Sequence, residues 1–146
     1  MESRGKTLFI DIDGTLLKHQ KNASGVVLNR FNPEILEGVR EAFDRWSGKG
    51  YRLILTTGRG ESMRTITEQQ LTEVGLFWDV LLMGIGGGER ILINDMAYPQ
   101  QPKAVAINVE RDAGFVNIDE LYHEAKLAAG AQPKHINKNI IEKYEI

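Results

Sequence analysis

Two aspartates two residues apart, Asp11 and Asp13, close the apolar run Thr7-Leu8-Phe9-Ile10 and are followed at once by Gly14. Alternate residues of a strand point to one side, so the two carboxylates repel each other where the element ends. A divalent cation offsets that repulsion, and magnesium suits the role because it takes one or two carboxylates together with water and phosphate oxygens. Gly14 lets the backbone turn away sharply behind the acids. A second stretch with chemistry is Thr56-Thr57-Gly58-Arg59 after Leu53-Ile54-Leu55, where an apolar strand runs into hydroxyls, a glycine and a cation. Alone, it reads as an ordinary strand-to-helix turn. A third acid, Asp95, follows Ile91-Leu92-Ile93-Asn94 and fits the end of another strand.

Taken whole, Phe9-Ile10-Asp11-Ile12-Asp13-Gly14-Thr15-Leu16 resembles the first motif of the haloacid dehalogenase (HAD) superfamily of phosphohydrolases, DxDGT after an apolar strand. The resemblance implies that Asp11 attacks phosphorus to form an aspartyl phosphate, while Asp13 protonates the leaving group and then activates water. Leu53 to Arg59 resembles the second motif, which implies that Thr57 contacts a phosphate oxygen and that Gly58 and Arg59 lie at the substrate. Ile91 to Asp95 resembles the fourth motif, which implies that Asp95 joins Asp11 and the Asp13 backbone carbonyl around magnesium. Asn94 stands where relatives often have a further acid.

The third motif is the departure. Relatives place a lysine ahead of the fourth strand, where its charge neutralises phosphate, but Gly84 to Glu89 contains none. Arg90 begins the expected fourth strand, so at about 3.3 Å per residue it lies roughly 16 Å from Asp95, at the wrong end, and Lys103 has the same problem. Arg111 follows the expected fifth strand, emerges at the carboxyl edge, and is the expected substitute cation.

The resemblance covers roughly residues 7 to 118. It implies a magnesium-dependent phosphomonoester hydrolase of the small, uncapped type, similar to phosphatases of capsule and surface-sugar biosynthesis, acting on a phosphorylated sugar or another small metabolite. Two rival readings stand beside it. One is a phosphorylation-controlled module similar to a response-regulator receiver domain, although receivers carry the phosphorylated Asp after strand 3, where this chain has Met83-Gly84. The other is a HAD-fold binding protein weakened in turnover by the missing lysine.

The elements that must position these groups follow from periodicity. Short apolar runs predict strands at 7–10, 51–56, 80–83, 90–94 and 104–108. Between them, Asn32 and Pro33 open a helix carrying Ile35, Leu36, Val39, Phe43 and Trp46 to Gly48, and a second helix runs from Glu61 to Val74 with Met63, Ile66, Leu71 and Val74 inward. A third helix is expected from about Asn117 to Ala129. The pattern is α/β: a doubly wound, mainly parallel, Rossmann-like sheet with no cap domain, in one domain spanning 1–146. One join strains it, because six residues, Gly84 to Glu89, are short for a parallel crossover of about ten to twelve. Residues 16–31 read as a hairpin flap, and 132–146 as a polar peripheral tail.

Composition sets the remaining bounds. A formal charge of −2 gives no overall positive field to recruit nucleic acid or an anionic membrane. The start is charged and lacks a signal-peptide pattern, there is no cysteine, and the most apolar window, Gly75 to Ile85, is far shorter than the roughly 20 residues that span a bilayer. A cytoplasmic location without a membrane partner is expected. Apolar Val26-Val27-Leu28 on the flap favours a homo-oligomer that covers the site. Gly86-Gly87-Gly88 lacks the ending of a P-loop and reads as a flexible connector, and His19, His123 and His135 show no metal-ligand spacing.

Overall fold

The computed structural model describes residues 5–20, 32–96, 98–99, 101–137 and 140–146. They fall into two units, one made of Met1–Gly88 with Glu110–Val116, the other of Glu89–Val109 with Asn117–Ile146.

In the first unit the predicted strands β1 (Thr7–Asp11), β2 (Arg52–Thr56) and β3 (Val80–Leu82) form a parallel sheet in the order β1-β2-β3. Ile10 pairs with Leu55, and Leu55 with Leu81. This row and Leu53 are buried, whereas Phe9, one residue out of phase, is 56% exposed. That alternation follows from connectivity: adjacent parallel strands joined in sequence by right-handed crossovers place both helices on one face. The helices are α1 (Val39–Gly48) and α2 (Arg64–Glu73), the latter preceded by a 3-10 turn at Glu61–Met63. Arg40 of α1 donates from Nε and Nη2 to the carbonyl of Val74, just past α2.

Helix α1 buries Val39, Ala42, Phe43 and Trp46, the i, i+3, i+4, i+7 stripe of a surface helix. The ring of Phe43 lies 5.8 Å from those of Trp46 and Phe77, and Trp46 lies 5.8 Å from Phe115. Each large apolar side chain so buried stabilises by about 1.5–3 kcal/mol. The helix starts at Val39 rather than at Asn32 because residues 34–36 pair with the loop after β1. Lys18 N–H donates to Glu34, Leu36 N–H donates to Leu16, and Gly38 then adopts φ 78°, which no helix continues through. Arg64 secures the start of α2, bonding Glu61 through Nε and Nη2, Glu68 through Nη1 and the Leu81 carbonyl through Nη2. The hydrogen bond from Arg64 holds the Glu61 carboxyl below its ordinary range.

Residues 110–116 form a strap on this unit. Phe115 N–H donates to the Glu37 carbonyl at 2.8 Å, and Gly114, at φ 76°, leaves no room for a Cβ, which would fall on that same carbonyl oxygen. Gly114→Ala therefore adds both a left-handed backbone cost of about 1–2 kcal/mol and a clash. Urea unfolding should show a loss of about 2 kcal/mol or more, and an unchanged midpoint would mean that the strap does not hold.

Several expectations are corrected. Leu16 and Leu17 belong to the core, at 0% and 2% exposure, and Leu17 bridges both Asp13 and Ile35 instead of opening a flap. The rest of the flap from residue 21, including Val26-Val27-Leu28, lies outside the described residues. Residues 90–94 and 104–108 of the second unit are not strands, and Ile91, Leu92 and Ile93 are 74%, 58% and 90% exposed. A strand exists only where a neighbour takes its backbone hydrogen bonds, and apolar content does not supply that neighbour. The crossover strain thus resolves with β3 in place and, among the described residues, no fourth parallel strand after it.

The second unit contains the third predicted helix, α3 (Ile118–Ala128), whose first turn carries Asp119 and Glu120 at the favourable end of the helix dipole. The expected tail is instead an antiparallel pair, β4 (Lys134–Asn137) with β5 (Ile140–Glu142). It is followed by contacts to α3: Tyr144 N–H donates to His123 Nδ1 at 2.8 Å, and Ile146 N–H donates to Asp119 at 3.1 Å. His123 is therefore a hydrogen-bond acceptor within this unit. Among the described residues no helix is long and apolar enough to cross a membrane.

Candidate active site

The acidic pair stands where the sheet ends. Asp11 is the last residue of β1, in register with Thr56, the last residue of β2. Beyond it the chain closes on itself: the Ile12 carbonyl accepts from the N–H groups of Thr15, Leu16 and Leu17, and Gly14, at φ 86°, donates to Leu17 at 2.7 Å. Burial of Ile12, Leu16 and Leu17 anchors this loop from below. The turn returns Thr15 to the acid, and its hydroxyl donates to Asp11 Oδ2 at 3.0 Å. Asp11 is half-buried, with one carboxylate oxygen oriented by a neutral donor.

Asp13 is held differently. Arg59 Nε donates to Oδ2 at 2.9 Å and Nη2 donates to Oδ1 at 2.7 Å, a two-point clamp on a carboxylate whose side chain is 31% exposed. The guanidinium itself is buried, and its Nη1 donates to Thr67 Oγ1 at 3.0 Å and Gln70 Oε1 at 2.8 Å. Four of the five N–H groups of an arginine are thereby committed within the protein. The guanidinium that the motif resemblance puts at the substrate is bonded here to Asp13, Thr67 and Gln70.

Thr67 and Gln70 went unnoticed in the sequence. Their signal was positional, since both occupy the inward stripe of α2 beside Leu71 and Val74, where a polar residue needs a buried partner.

Thr57 and Gly58 shape the turn that delivers Arg59. Thr57 is 1% exposed, its hydroxyl oxygen accepts from Arg59 N–H at 3.1 Å, and its own N–H donates to the Leu82 carbonyl at 3.0 Å. The Thr57 hydroxyl keeps one hydrogen of its own to donate. Gly58 has no side chain because a Cβ would sit 3.1 Å from the Ile85 carbonyl oxygen, so packing accounts for it and a substrate contact is not needed to. Gly84 and Ile85 donate to the Arg59 and Thr57 carbonyls at 2.7 and 2.9 Å. The two residues ahead of the glycine run Gly86-Gly87-Gly88 are thus fastened to this turn.

Arg111 arrives from the strap and lies against the acid loop: its Cγ and Nε are 3.1 and 3.7 Å from where a Cβ on Gly14 would stand. Its residue surface is exposed. The structure therefore brings Asp11, Asp13, Thr57, Arg59 and Arg111 into the first unit, at the ends of β1 and β2 and on the strap. Asp95 belongs to the second unit, where it is exposed and its carboxylate lies 3.9 Å from Lys103 Nζ.

The acid loop offers a hard divalent cation a small donor set. The Asp13 carboxylate is occupied at both oxygens by Arg59, which leaves the Asp11 carboxylate and the Asp13 main-chain carbonyl as protein ligands. Among the described residues no three His, Asp or Glu groups converge on one point. One carboxylate and one carbonyl, completed by water and phosphate oxygens, is a set that magnesium accepts and that calcium, with six to eight ligands, fills less readily.

Comparisons of the chain with protein-family models, curated proteins and solved structures return no match.

Proposed function

We propose that the chain is a magnesium-dependent phosphomonoester hydrolase of HAD type that works through an aspartyl-phosphate intermediate on a small phosphorylated metabolite such as a sugar phosphate. One observation carries this reading: at the carboxyl end of parallel β1, a half-buried carboxylate oriented by Thr15 is followed two residues on by a carboxylate clamped by a buried arginine. Two acids in such different surroundings suit two different tasks.

In the proposed reaction a carboxylate oxygen of Asp11 attacks phosphorus, the bond from phosphorus to the leaving oxygen breaks, and the phosphoryl group stays on Asp11. Asp13 delivers a proton to the leaving oxygen, then takes one from water as that water attacks phosphorus and frees Asp11 and inorganic phosphate. Arg59 orients Asp13 and, in this reaction, yields one of the two carboxylate oxygens while that oxygen carries the proton. Thr57 donates its remaining hydroxyl hydrogen to a phosphate oxygen, and Arg111 supplies the cation that the absent motif-three lysine would have supplied. Magnesium, if held by the Asp11 carboxylate and the Asp13 main-chain carbonyl with water completing the set, would neutralise charge on phosphate and on the nucleophile.

The test is hydrolysis of a panel of sugar phosphates, nucleotides and an aryl phosphate by the full chain, with magnesium and with chelator. Release of phosphate that chelator abolishes is expected. Activity indifferent to chelator would reject the metal.

A further inference from the structure

The strap presents a backbone conformation that its sequence does not favour. Ala113 N–H donates to the Glu110 carbonyl at 3.1 Å, closing a turn with Arg111 second and Asp112 third. Asp112 has φ 65°, the one positive value for a residue other than glycine among the described residues. That position ordinarily takes glycine or asparagine, because a side chain there is crowded by the backbone. Aspartate enters this region, as asparagine does, when its polar groups find partners, and the structure contains two. Asp112 N–H donates to the Gly14 carbonyl at 2.9 Å, and its carboxylate Oδ1 accepts from His19 N–H at 2.8 Å.

These two bonds grip the acid loop at both ends. Residues 14 and 19 flank the segment that contains Thr15, the donor to Asp11, and Leu16 and Leu17, which anchor the loop in the core. The same turn sets the direction of Arg111, whose side chain packs against Gly14. Gly114 and Phe115 fasten the strap on its other side at Glu37.

We infer that Asp112 is a positioning residue that latches the 110–116 strap across residues 14–19, fixing the Asp11 loop and Arg111 in one relative geometry. In its kinetic consequence this rests on the hydrolase reading, while the latch itself can be read without any activity.

The experiment compares three variants of the full chain. Asp112→Asn retains an oxygen acceptor for His19 and tolerates positive φ, so it should keep at least about a third of wild-type kcat/KM. Asp112→Gly keeps the turn without strain but loses the bond to His19, and kcat/KM should fall about tenfold, mainly in kcat. Asp112→Ala loses both and should fall further. Amide hydrogen exchange supplies the second readout: peptides covering 14–20 should exchange faster in the Gly and Ala variants and as wild type in the Asn variant, with α1 and β2 unchanged in all three.

Wild-type kinetics and exchange in Asp112→Gly would overturn the latch. So would an Asn variant as impaired as the Gly variant, since that would assign the effect to charge rather than to geometry. Exchange rising equally through α1 and β2 would also overturn it, showing general destabilisation instead. Should the wild type hydrolyse nothing in magnesium, the functional reading falls, and the exchange pattern alone decides the latch.

Discussion

Asp11→Asn is expected to lower phosphomonoesterase turnover by at least about a thousandfold, because an amide cannot attack phosphorus while the rest of the site stays in place. Stability should stay within about 1 kcal/mol of wild type, as the asparagine oxygen can still accept the hydroxyl of Thr15, now at 3.0 Å from Oδ2. Substrate should still bind, so the loss should fall in kcat. Measuring kcat on purified protein, with the urea midpoint taken on the same preparation, separates chemistry from folding. Near-wild-type hydrolysis by the variant would eliminate the aspartyl-phosphate route.

Arg59→Met should have the second large effect, and it separates two roles for the residue. As an orienting group, Arg59 leaves behind, when removed, the Asp13 carboxylate and the side-chain oxygens of Thr67 and Gln70 without their donor. Breaking a buried pair from one side costs about 3–5 kcal/mol, and the lower end applies because the Asp13 side chain is 31% exposed and regains water. A loss of about 3 kcal/mol in urea unfolding is therefore expected, together with a fall in kcat. Arg59→Lys should recover only part of either, since a lysine ammonium cannot reproduce the two-point geometry. A substrate-contacting arginine would behave otherwise, raising KM at unchanged stability, and that outcome would restore the role expected from the motif.

Much of the site was legible because its residues are local in sequence. The acids, the turning glycine and Thr15 lie within five residues, so the period of a strand and the φ freedom of glycine were enough to place both carboxylates at the end of β1. Likewise β2, α2, β3 and α3 were readable from apolar runs and helical spacing, and Trp46 is core as its register required. Arg111 could be placed only as a cation beyond an expected fifth strand. That strand does not form, and a strap from residues 110–116 delivers Arg111 to Gly14 instead.

What sequence alone determined, then, is the chemistry on offer and the short-range geometry: two carboxylates after an apolar strand, a Thr-Gly-Arg turn after another, and an α/β alternation. Tertiary structure decided the pairings. Arg59 turns toward Asp13, 46 positions away, and Asp112 toward His19, 93 positions away, contacts that no local period encodes. It also decided which apolar runs became strands. Residues 80–82 found β2 as a partner, whereas the equally apolar triplet Ile91-Leu92-Ile93 remained exposed chain. The physical reason is common to both: side-chain periodicity reports which face can be buried, but hydrogen bonds and ion pairs are satisfied only by the particular groups that folding brings alongside.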